Sequence, residues 1–87
     1  MKYQVLLEKP AQKFIRRLPK DEKERILREI YRLPDEGDIR PLKGRRGKGY
    51  FRLRVGSYRI IYTVNDEKLV VMVVDVGNRG QIYKRYD

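Results

Sequence analysis

The sequence predicts an α+β fold in which one strand and a two-helix hairpin precede a mainly antiparallel sheet. Three observations support this class. Apolar residues recur at helical spacing in the first half, they alternate or run together as in strands in the second half, and proline or glycine separates the segments. At 87 residues the chain is expected to form a single domain, residues 1–87.

The first half is predicted to contain a strand and two helices. The run Lys2–Glu8 is short and apolar, which is typical of a strand. In Ala11–Leu18 the apolar residues fall on one helical face, and Pro19 ends this helix. A second helix is expected to begin at Lys20 and to extend to Pro34, with acidic residues in its first turn. Two helices joined at a proline form an αα-hairpin.

The second half is predicted to form a three-stranded meander. Its strands are Tyr50–Val55, Tyr58–Val64 and Lys68–Val76, and Ile82–Tyr86 adds a short final strand. The first strand alternates apolar and basic residues, so Arg52 and Arg54 share the face opposite its apolar side chains. Gly56-Ser57 is a two-residue turn signal. The third strand is nearly continuous in hydrophobic residues and is therefore expected to be central and buried on both faces.

The charge of the chain restricts its function. The 22 Lys and Arg against 12 Asp and Glu give a net charge of +10, which predicts a polyanionic partner such as nucleic acid. The absence of Cys and His excludes thiolate chemistry and a Ser-His-Asp or Cys-His nucleophile, and no metal or cofactor is expected. No apolar run is long enough to span a membrane, so we expect a cytoplasmic protein without a membrane partner.

The basic residues cluster in the middle of the chain. Eight of them and no acidic residue lie between Arg40 and Arg59. The loop residues expected to bind RNA or the ribosome are Lys43, Arg45, Arg46 and Lys48. The hairpin residues Arg52 and Arg54 share a face, whereas the face of Arg59 depends on a register that the sequence does not give. Together with Arg79 and Tyr83, which follow the third strand, these three arginines form a candidate site on one concave surface. Arginine suits a phosphate-binding site because its guanidinium group binds two phosphate oxygens at once.

Aromatic residues lie close to these positions in the sequence. Tyr50, Tyr58 and Tyr83 are candidates for stacking on unpaired bases, as in the recognition of single-stranded RNA. Taken singly, each arginine or tyrosine also fits a solvent-exposed strand, a basic loop or a packing residue at a sheet edge. The basic block without a compensating acid favours the functional interpretation for the set as a whole.

The motifs of the second half resemble those of a known family. They are Leu42-Lys43-Gly44, Gly49–Tyr62 (GYFRLRVGSYRIIY), Val76-Gly77-Asn78-Arg79 and Ile82-Tyr83. In combination they resemble the RelE toxins of the RelE/ParE toxin–antitoxin superfamily. The resemblance covers essentially the whole chain, since the N-terminal strand and helical hairpin also match the family's order of elements, and it implies a RelE-like fold.

The resemblance implies a toxin that cuts messenger RNA in the decoding site of the ribosome. Such a toxin is a metal-independent endoribonuclease, an mRNA interferase, in which the 2′-hydroxyl attacks the adjacent phosphate and leaves a 2′,3′-cyclic phosphate. The implied partner is an acidic, RelB-like antitoxin. Carried over residue by residue, the catalytic candidates are Arg52, Arg54, Arg59, Arg79 and Tyr83.

Two departures from the family pattern affect the mechanism. Lysines of the family are replaced by Arg52 and Arg54, which do not usefully exchange protons, and Asn78 stands where relatives often have His or Lys. The general base therefore stays open between Tyr83, Tyr86 and no protein base. Two other functions also stay open: ParE-type toxins with the same fold inhibit DNA gyrase, and a non-catalytic RNA- or ribosome-binding module needs the same basic surface.

Overall fold

The change of apolar spacing near the middle of the chain corresponds to a change from helix to sheet in the computed structural model, which describes residues 3–42 and 49–78. The elements are β1 (Gln4–Leu7), α1 (Lys9–Arg16), α2 (Lys20–Ile30), β2 (Asp38–Pro41), β3 (Phe51–Val55), β4 (Tyr58–Asn65) and β5 (Val70–Asn78). The strands form one sheet in the order β1-β5-β4-β3-β2. Only the β1–β5 pair is parallel among these described strands, so the predicted α+β class with a mainly antiparallel sheet is confirmed.

Helix α1 begins two residues earlier than the sequence pattern predicts. Pro10 lies in its first turn, where the missing N–H removes no intrahelical hydrogen bond, so the proline starts the helix and does not delay it. The side chains of Ala11 and Ile15, four residues apart, are buried on the face toward the sheet. Phe14 packs beside them, half-buried.

Helix α2 begins at Lys20 as predicted but ends earlier than expected. Its last helical residue is Ile30, and the chain continues through turns past Pro34. Leu33 is nevertheless buried in the core together with Ile26, because the turns after the helix keep that side chain over the sheet. The apolar pattern therefore identified the buried side but not the helix end.

The core lies between the two helices and one face of the sheet. Its sheet residues are Leu53, Val55, Ile60, Tyr62, Val71, Val73 and Val76, and its helical and turn residues are Ala11, Ile15, Ile26, Ile30 and Leu33. Both helices cover the same face, which leaves the other face of β2–β5 without a helix among the described residues.

A bulge in β5 sets which residues of that strand enter the core. The register with β4 shifts between Ile61 and Tyr62, and Val74 is the extra residue on β5. As a result, Val73 and Val76 both face the helices although they are three positions apart. A strict two-residue alternation would have placed one of them on the opposite face.

The position of β5 is only partly as predicted. It lies inside the sheet between β1 and β4, as expected of a hydrophobic strand. The prediction that it is buried on both faces is wrong for its first half, where Val70, Met72 and Val74 are half-buried and alternate with the buried Val71 and Val73. The reason is that helices pack on one face of the sheet only.

The edge strand β2 was not predicted from the sequence. Asp38 and Pro41 are both uncommon in strands, but a sheet edge tolerates them because one side of the strand needs no ladder hydrogen bonds. The predicted final strand Ile82–Tyr86 lies outside the described residues, and the single domain 1–87 stays a prediction.

Candidate nucleic-acid interface

The sheet face opposite the helices carries two rows of side chains that run across the strands. Residues directly opposite one another in a ladder share a face. One row consists of Asp38, Arg54, Arg59 and Gly77, and the other consists of Arg40, Arg52, Ile61 and Asp75. We call these eight residues the open-face array. It contains four arginines and two aspartates, so positive charge predominates.

The register of the array brings arginines directly opposite one another. Arg40 of β2 lies opposite Arg52 of β3, and Arg54 of β3 lies opposite Arg59 of β4. The shared face of Arg52 and Arg54 is confirmed, and the register places Arg59 on it as well. Like charges at directly opposed positions repel one another, so the opposition of these arginines does not itself stabilise the sheet.

A single carboxylate joins two of these arginines. Asp38 Oδ1 accepts a hydrogen bond from Arg52 Nη2 at 3.2 Å, and Asp38 Oδ2 lies 3.0 Å from Arg54 Nε. The Arg52 side chain is 13% exposed, whereas those of Arg54 and Asp38 are 53% and 44% exposed. Arg52 Nε is buried and makes no hydrogen bond to any of the described residues. One acid therefore serves two guanidinium groups and leaves a buried donor of Arg52 unused.

Arg59 is held at the turn of the β3–β4 hairpin. The residue is only 4% exposed, and its Nη1 donates hydrogen bonds to the carbonyl oxygens of Gly56 and Tyr58 at 3.0 and 2.9 Å. Gly56 itself has a φ of +59°, which the predicted turn requires and which glycine adopts without strain. These two hydrogen bonds fix the position of the Arg59 guanidinium group at the turn, and Arg54 is the cross-strand neighbour of Arg59.

Asp75 is the second acid of the array and is buried. Its Oδ1 accepts a hydrogen bond from the backbone N–H of Val76 at 2.9 Å, and its position in β5 is opposite Ile61. The sequence analysis identified neither Asp75 nor Asp38 as part of the site, and it did not place Arg40 there. A charged residue inside an otherwise hydrophobic strand was the available signal for Asp75. Nothing in the sequence pointed to Asp38, because β2 itself was missed.

Tyr58 lies on the helix side of the sheet, so its predicted role in stacking on bases is wrong. Its hydroxyl donates a hydrogen bond to Glu22 Oε1 of α2 at 2.6 Å, and its ring contacts Phe14 of α1 edge-on at 5.9 Å between centroids. The strand alternation explains this position, since Tyr58 is opposite Val55, a core residue. The hydrogen bond to Glu22 raises the pKa of the Tyr58 hydroxyl, which keeps it protonated.

Tyr62 is also a core residue. Its ring stacks on Phe51 with centroids 5.6 Å apart, and burial raises the pKa of its hydroxyl to about 12. Tyr50 is half-buried at the start of the hairpin. Neither Tyr58 nor Tyr62 is therefore suited to accept a proton at neutral pH.

Several predicted site residues lie outside the described residues. They are Lys43, Arg45, Arg46, Lys48, Arg79 and Tyr83, together with the alternative base Tyr86. Their proposed roles stay predictions. Within residues 3–42 and 49–78, no three His, Cys, Asp or Glu side chains come together as metal ligands. No helix of the same part of the chain is long and apolar enough to cross a membrane.

Comparison with known proteins identifies the family. Residues 5–83 match the family model described as the ParE toxin of the parDE type II toxin–antitoxin system. A putative RelE-like toxin protein of Escherichia coli is 32% identical over 81 residues, which cover 91% of this chain and 85% of that protein. Toxin RelG of Mycobacterium tuberculosis is 39% identical over 46 residues, so the match spans about half of each chain, 53% of this one and 52% of RelG.

The fold comparison agrees with the sequence comparison. The crystal structure of an archaeal RelE–RelB complex from Pyrococcus horikoshii superposes with a TM-score of 0.72 at 31% identity, covering 93% of this chain and 99% of that chain. The family match extends over most of the chain, and the RelE-like resemblance of the hairpin motifs is confirmed. The chain therefore belongs to the RelE/ParE superfamily of toxins from type II toxin–antitoxin systems.

Proposed function

We propose that this toxin is a ribosome-dependent endoribonuclease that cleaves messenger RNA at the decoding site and so blocks translation. The observation that carries the proposal is the two pairs of opposed arginines on the open face of the sheet, Arg40 with Arg52 and Arg54 with Arg59. A surface that sets like charges directly opposite one another is stabilised when a polyanion binds, and the phosphodiester backbone of RNA is such a polyanion.

The proposed reaction depends mainly on stabilisation of the negative charge that develops on the phosphate. The 2′-oxygen forms a bond to the adjacent phosphorus as the bond to the 5′-oxygen breaks, which leaves a 2′,3′-cyclic phosphate and a 5′-hydroxyl. The proton leaves the 2′-hydroxyl, and a proton is delivered to the departing 5′-oxygen. In this scheme Arg59 and Arg79 stabilise the charge that grows on the phosphate, and Arg52 and Arg54 position the backbone.

The base is proposed to be Tyr83, with Tyr86 or no protein base as the alternatives. Tyr58 and Tyr62 are poor candidates because both face the helices and both have raised pKa values. A tyrosine serves as a base near neutral pH only where nearby cations lower its pKa, and the arginines of the array are the groups that would do so.

We further propose that Lys43, Arg45, Arg46 and Lys48 contact the ribosome or the messenger RNA, and that an acidic, RelB-like antitoxin neutralises the toxin. The net charge of +10 supports an acidic partner. The Pyrococcus horikoshii protein with the same fold was solved as a RelE–RelB complex, which supports an antitoxin of that type. Co-expression with the adjacent gene should restore growth; unchanged toxicity would exclude that gene product as the antitoxin.

A second candidate function is inhibition of DNA gyrase. It is favoured by the match to a family model described as the ParE toxin. A supercoiling assay with purified gyrase separates the two functions: a gyrase inhibitor lowers the rate of supercoiling by the purified enzyme, whereas an mRNA interferase leaves it unchanged and stops translation in a cell-free system.

The test of the proposed nuclease is single-turnover cleavage of messenger RNA on programmed ribosomes. Arg59→Ala and Arg79→Ala should each slow cleavage by about 10²–10³-fold with little loss of ribosome affinity, the typical cost of removing one electrostatic contact to a transition state. Tyr83→Phe decides the base, since near-normal cleavage would move the role to Tyr86 or to no protein base. A non-catalytic binding module would bind ribosomes without cleaving RNA in any variant.

Arg59→Ala also removes two hydrogen bonds at the hairpin turn, so its folding must be measured in parallel. The matched control for Tyr83→Phe is Tyr58→Phe, which removes a hydroxyl from the helix side of the sheet and should leave cleavage unchanged. If Arg59→Ala and Arg79→Ala both fold and both cleave at the unmodified rate, the proposed active site is wrong.

A further inference from the structure

The bridging carboxylate of Asp38 stands where an RNA phosphate would be expected. Each of its two oxygens contacts one guanidinium group, at 3.2 Å from Arg52 Nη2 and 3.0 Å from Arg54 Nε. Two non-bridging oxygens of a phosphodiester would make the same pair of contacts, since carboxylate and phosphate oxygens are equivalent partners for arginine. The pair of arginines is thus already occupied by an anion that belongs to the chain itself.

The ratio of acidic to basic groups at the Asp38 bridge is the reverse of the ratio at the ion pairs of Arg32. Near the end of α2, Arg32 is bound by two carboxylates, with Nη1 3.1 Å from Glu29 and Nε 2.9 Å from Glu36. On the open face, one carboxylate is shared between two arginines, and the buried Nε of Arg52 has no hydrogen-bond partner in the described part of the chain. Asp38 therefore supplies one negative charge to two positive ones, and a ligand with more negative charge would bind the pair better.

The bridge is also accessible to a competitor. Asp38 and Arg54 are each about half exposed, and an ion pair in that environment is weak because water screens it. Asp38 is held next to the arginines by the β2–β3 ladder, in which it lies directly opposite Arg54. The carboxylate therefore acts at a high effective concentration, which an isolated phosphate at millimolar concentration does not overcome. A nucleic acid overcomes it, because its other phosphates bind elsewhere on the array at the same time.

We propose that Asp38 is an internal competitor for the phosphate site formed by Arg52 and Arg54, and that it selects polymeric RNA over small phosphates. This inference rests on the proposed function only for the identity of the polymer. Removing the charge of Asp38 frees the two donors that it contacts, Arg52 Nη2 and Arg54 Nε, for any phosphate. The side chain is thus a specificity determinant, and it lowers the affinity for RNA in exchange for excluding mononucleotides and free phosphate.

The test compares Asp38→Asn with Asp35→Asn, which makes the same change in net charge at an exposed turn residue outside the array. Binding of a short single-stranded RNA with a 2′-O-methyl group at each position is measured by fluorescence anisotropy, so that no 2′-oxygen can attack the adjacent phosphate and cleavage does not interfere. Asp38→Asn should bind it about three- to fivefold more tightly than the unmodified toxin, the upper part of the range for a lost exposed ion pair, and Asp35→Asn within about twofold. Equal tightening by both variants would overturn the inference, because long-range charge would then explain it.

A second measurement uses inorganic phosphate and no nucleic acid. The Arg54 Nε–H resonance, followed by nuclear magnetic resonance, should respond to millimolar phosphate in Asp38→Asn and not in the unmodified toxin. In the Arg54→Ala background, Asp38→Asn should no longer tighten RNA binding, and retained tightening would contradict the bridge as its cause. Melting temperatures identify a misfolded variant, and Asp38→Ser then replaces Asp38→Asn in both assays.

The outcome is independent of the nuclease proposal. If ribosome-bound messenger RNA is not cleaved but Asp38→Asn still gains affinity for RNA and phosphate, the competitor role holds and the proposed enzymatic function fails. If cleavage is observed and Asp38→Asn gains no affinity, the competitor role alone is wrong.

Discussion

The two faces of the β3–β4 hairpin have opposite characters although their residues alternate along the same strands. On the helix side, Leu53 and Ile60 are fully buried and directly opposite each other. On the open side, Arg54 and Arg59 occupy the same kind of opposed position. Apolar side chains in contact stabilise a sheet, and opposed arginines destabilise it. One face therefore supplies most of the apolar burial that stabilises the fold, and the other carries the arginines of the proposed RNA-binding site.

The largest effect on stability is expected on the helix side. Leu53→Ala removes a fully buried side chain from the centre of the core and leaves a cavity, so the free energy of unfolding should fall by about 2–5 kcal/mol. Urea denaturation followed by circular dichroism measures this change. Arg40→Ala, an exposed change on β2, is the control and should shift the unfolding free energy by less than about 0.5 kcal/mol. Equal losses would show that the two faces do not divide the roles as proposed.

The next largest effect on stability is expected at alkaline pH, where the Tyr62 hydroxyl can lose its proton. Its folded-state pKa of about 12 exceeds the usual value of 10, because burial disfavours the phenolate. The contribution of protonated Tyr62 to the free energy of unfolding is therefore complete below pH 10. As the pH rises from 10 to 12, the unfolded state loses the proton first, and the free energy of unfolding falls by up to about 1.4 kcal/mol per pH unit. Tyr62→Phe lacks this loss. The difference in unfolding free energy between the two proteins, measured from pH 8 to 12, should change only above pH 10.

A smaller effect is expected from the hydrogen bond between Tyr58 and Glu22, which joins the hairpin to α2. Tyr58→Phe removes this hydrogen bond and keeps the edge-on contact with Phe14, so the cost should be about 1 kcal/mol. Thermal unfolding at pH 7 measures it. Glu22→Gln retains an acceptor for the Tyr58 hydroxyl and should cost less, and a larger loss in Glu22→Gln would assign the stabilisation to the charge of Glu22 and not to this bond.

The division between the faces was predicted from the sequence where alternation is regular. Phe51 to Val55 alternates strictly, so the shared face of Arg52 and Arg54 followed directly. The Gly56-Ser57 turn was predicted for the same reason: turn chemistry is local. The position of Arg59 was not predictable, because the cross-strand register is a tertiary property and a shift of one residue reverses every face.

The incorrect predictions also arise from contacts between segments that are distant in the sequence. Tyr58 was predicted to stack on bases because it is an aromatic residue close in sequence to the candidate arginines, but its ladder partner Val55 belongs to the core. The bulge at Val74 interrupts the period of β5 without any glycine or proline to mark it. Asp38 joined the site only through pairing of β2 with β3. In each case a contact between distant segments decided the outcome.

Among these substitutions, Arg54→Ala should have the smallest effect on the free energy of unfolding and the largest effect on RNA binding. The Arg54 side chain is 53% exposed and, within the described residues, pairs with a carboxylate that is itself 44% exposed, so Arg54→Ala should change the free energy of unfolding by about 0.5 kcal/mol or less. Arg54→Ala also relieves the repulsion between Arg54 and the opposed Arg59, which offsets part of the lost ion pair and makes the net change smaller still.

Binding to single-stranded RNA should respond in the opposite way. If Arg54 contacts one phosphate, Arg54→Ala reduces the slope of log Kd against log salt concentration by about 0.7, the value for one released counterion on a single strand. The control is Arg32→Ala, which removes the same charge from the end of α2, where Glu29 and Glu36 already neutralise it. That variant should leave the slope unchanged. An equal decrease in both variants would mean that RNA responds to the net charge of the toxin, and the two faces would then not differ in binding.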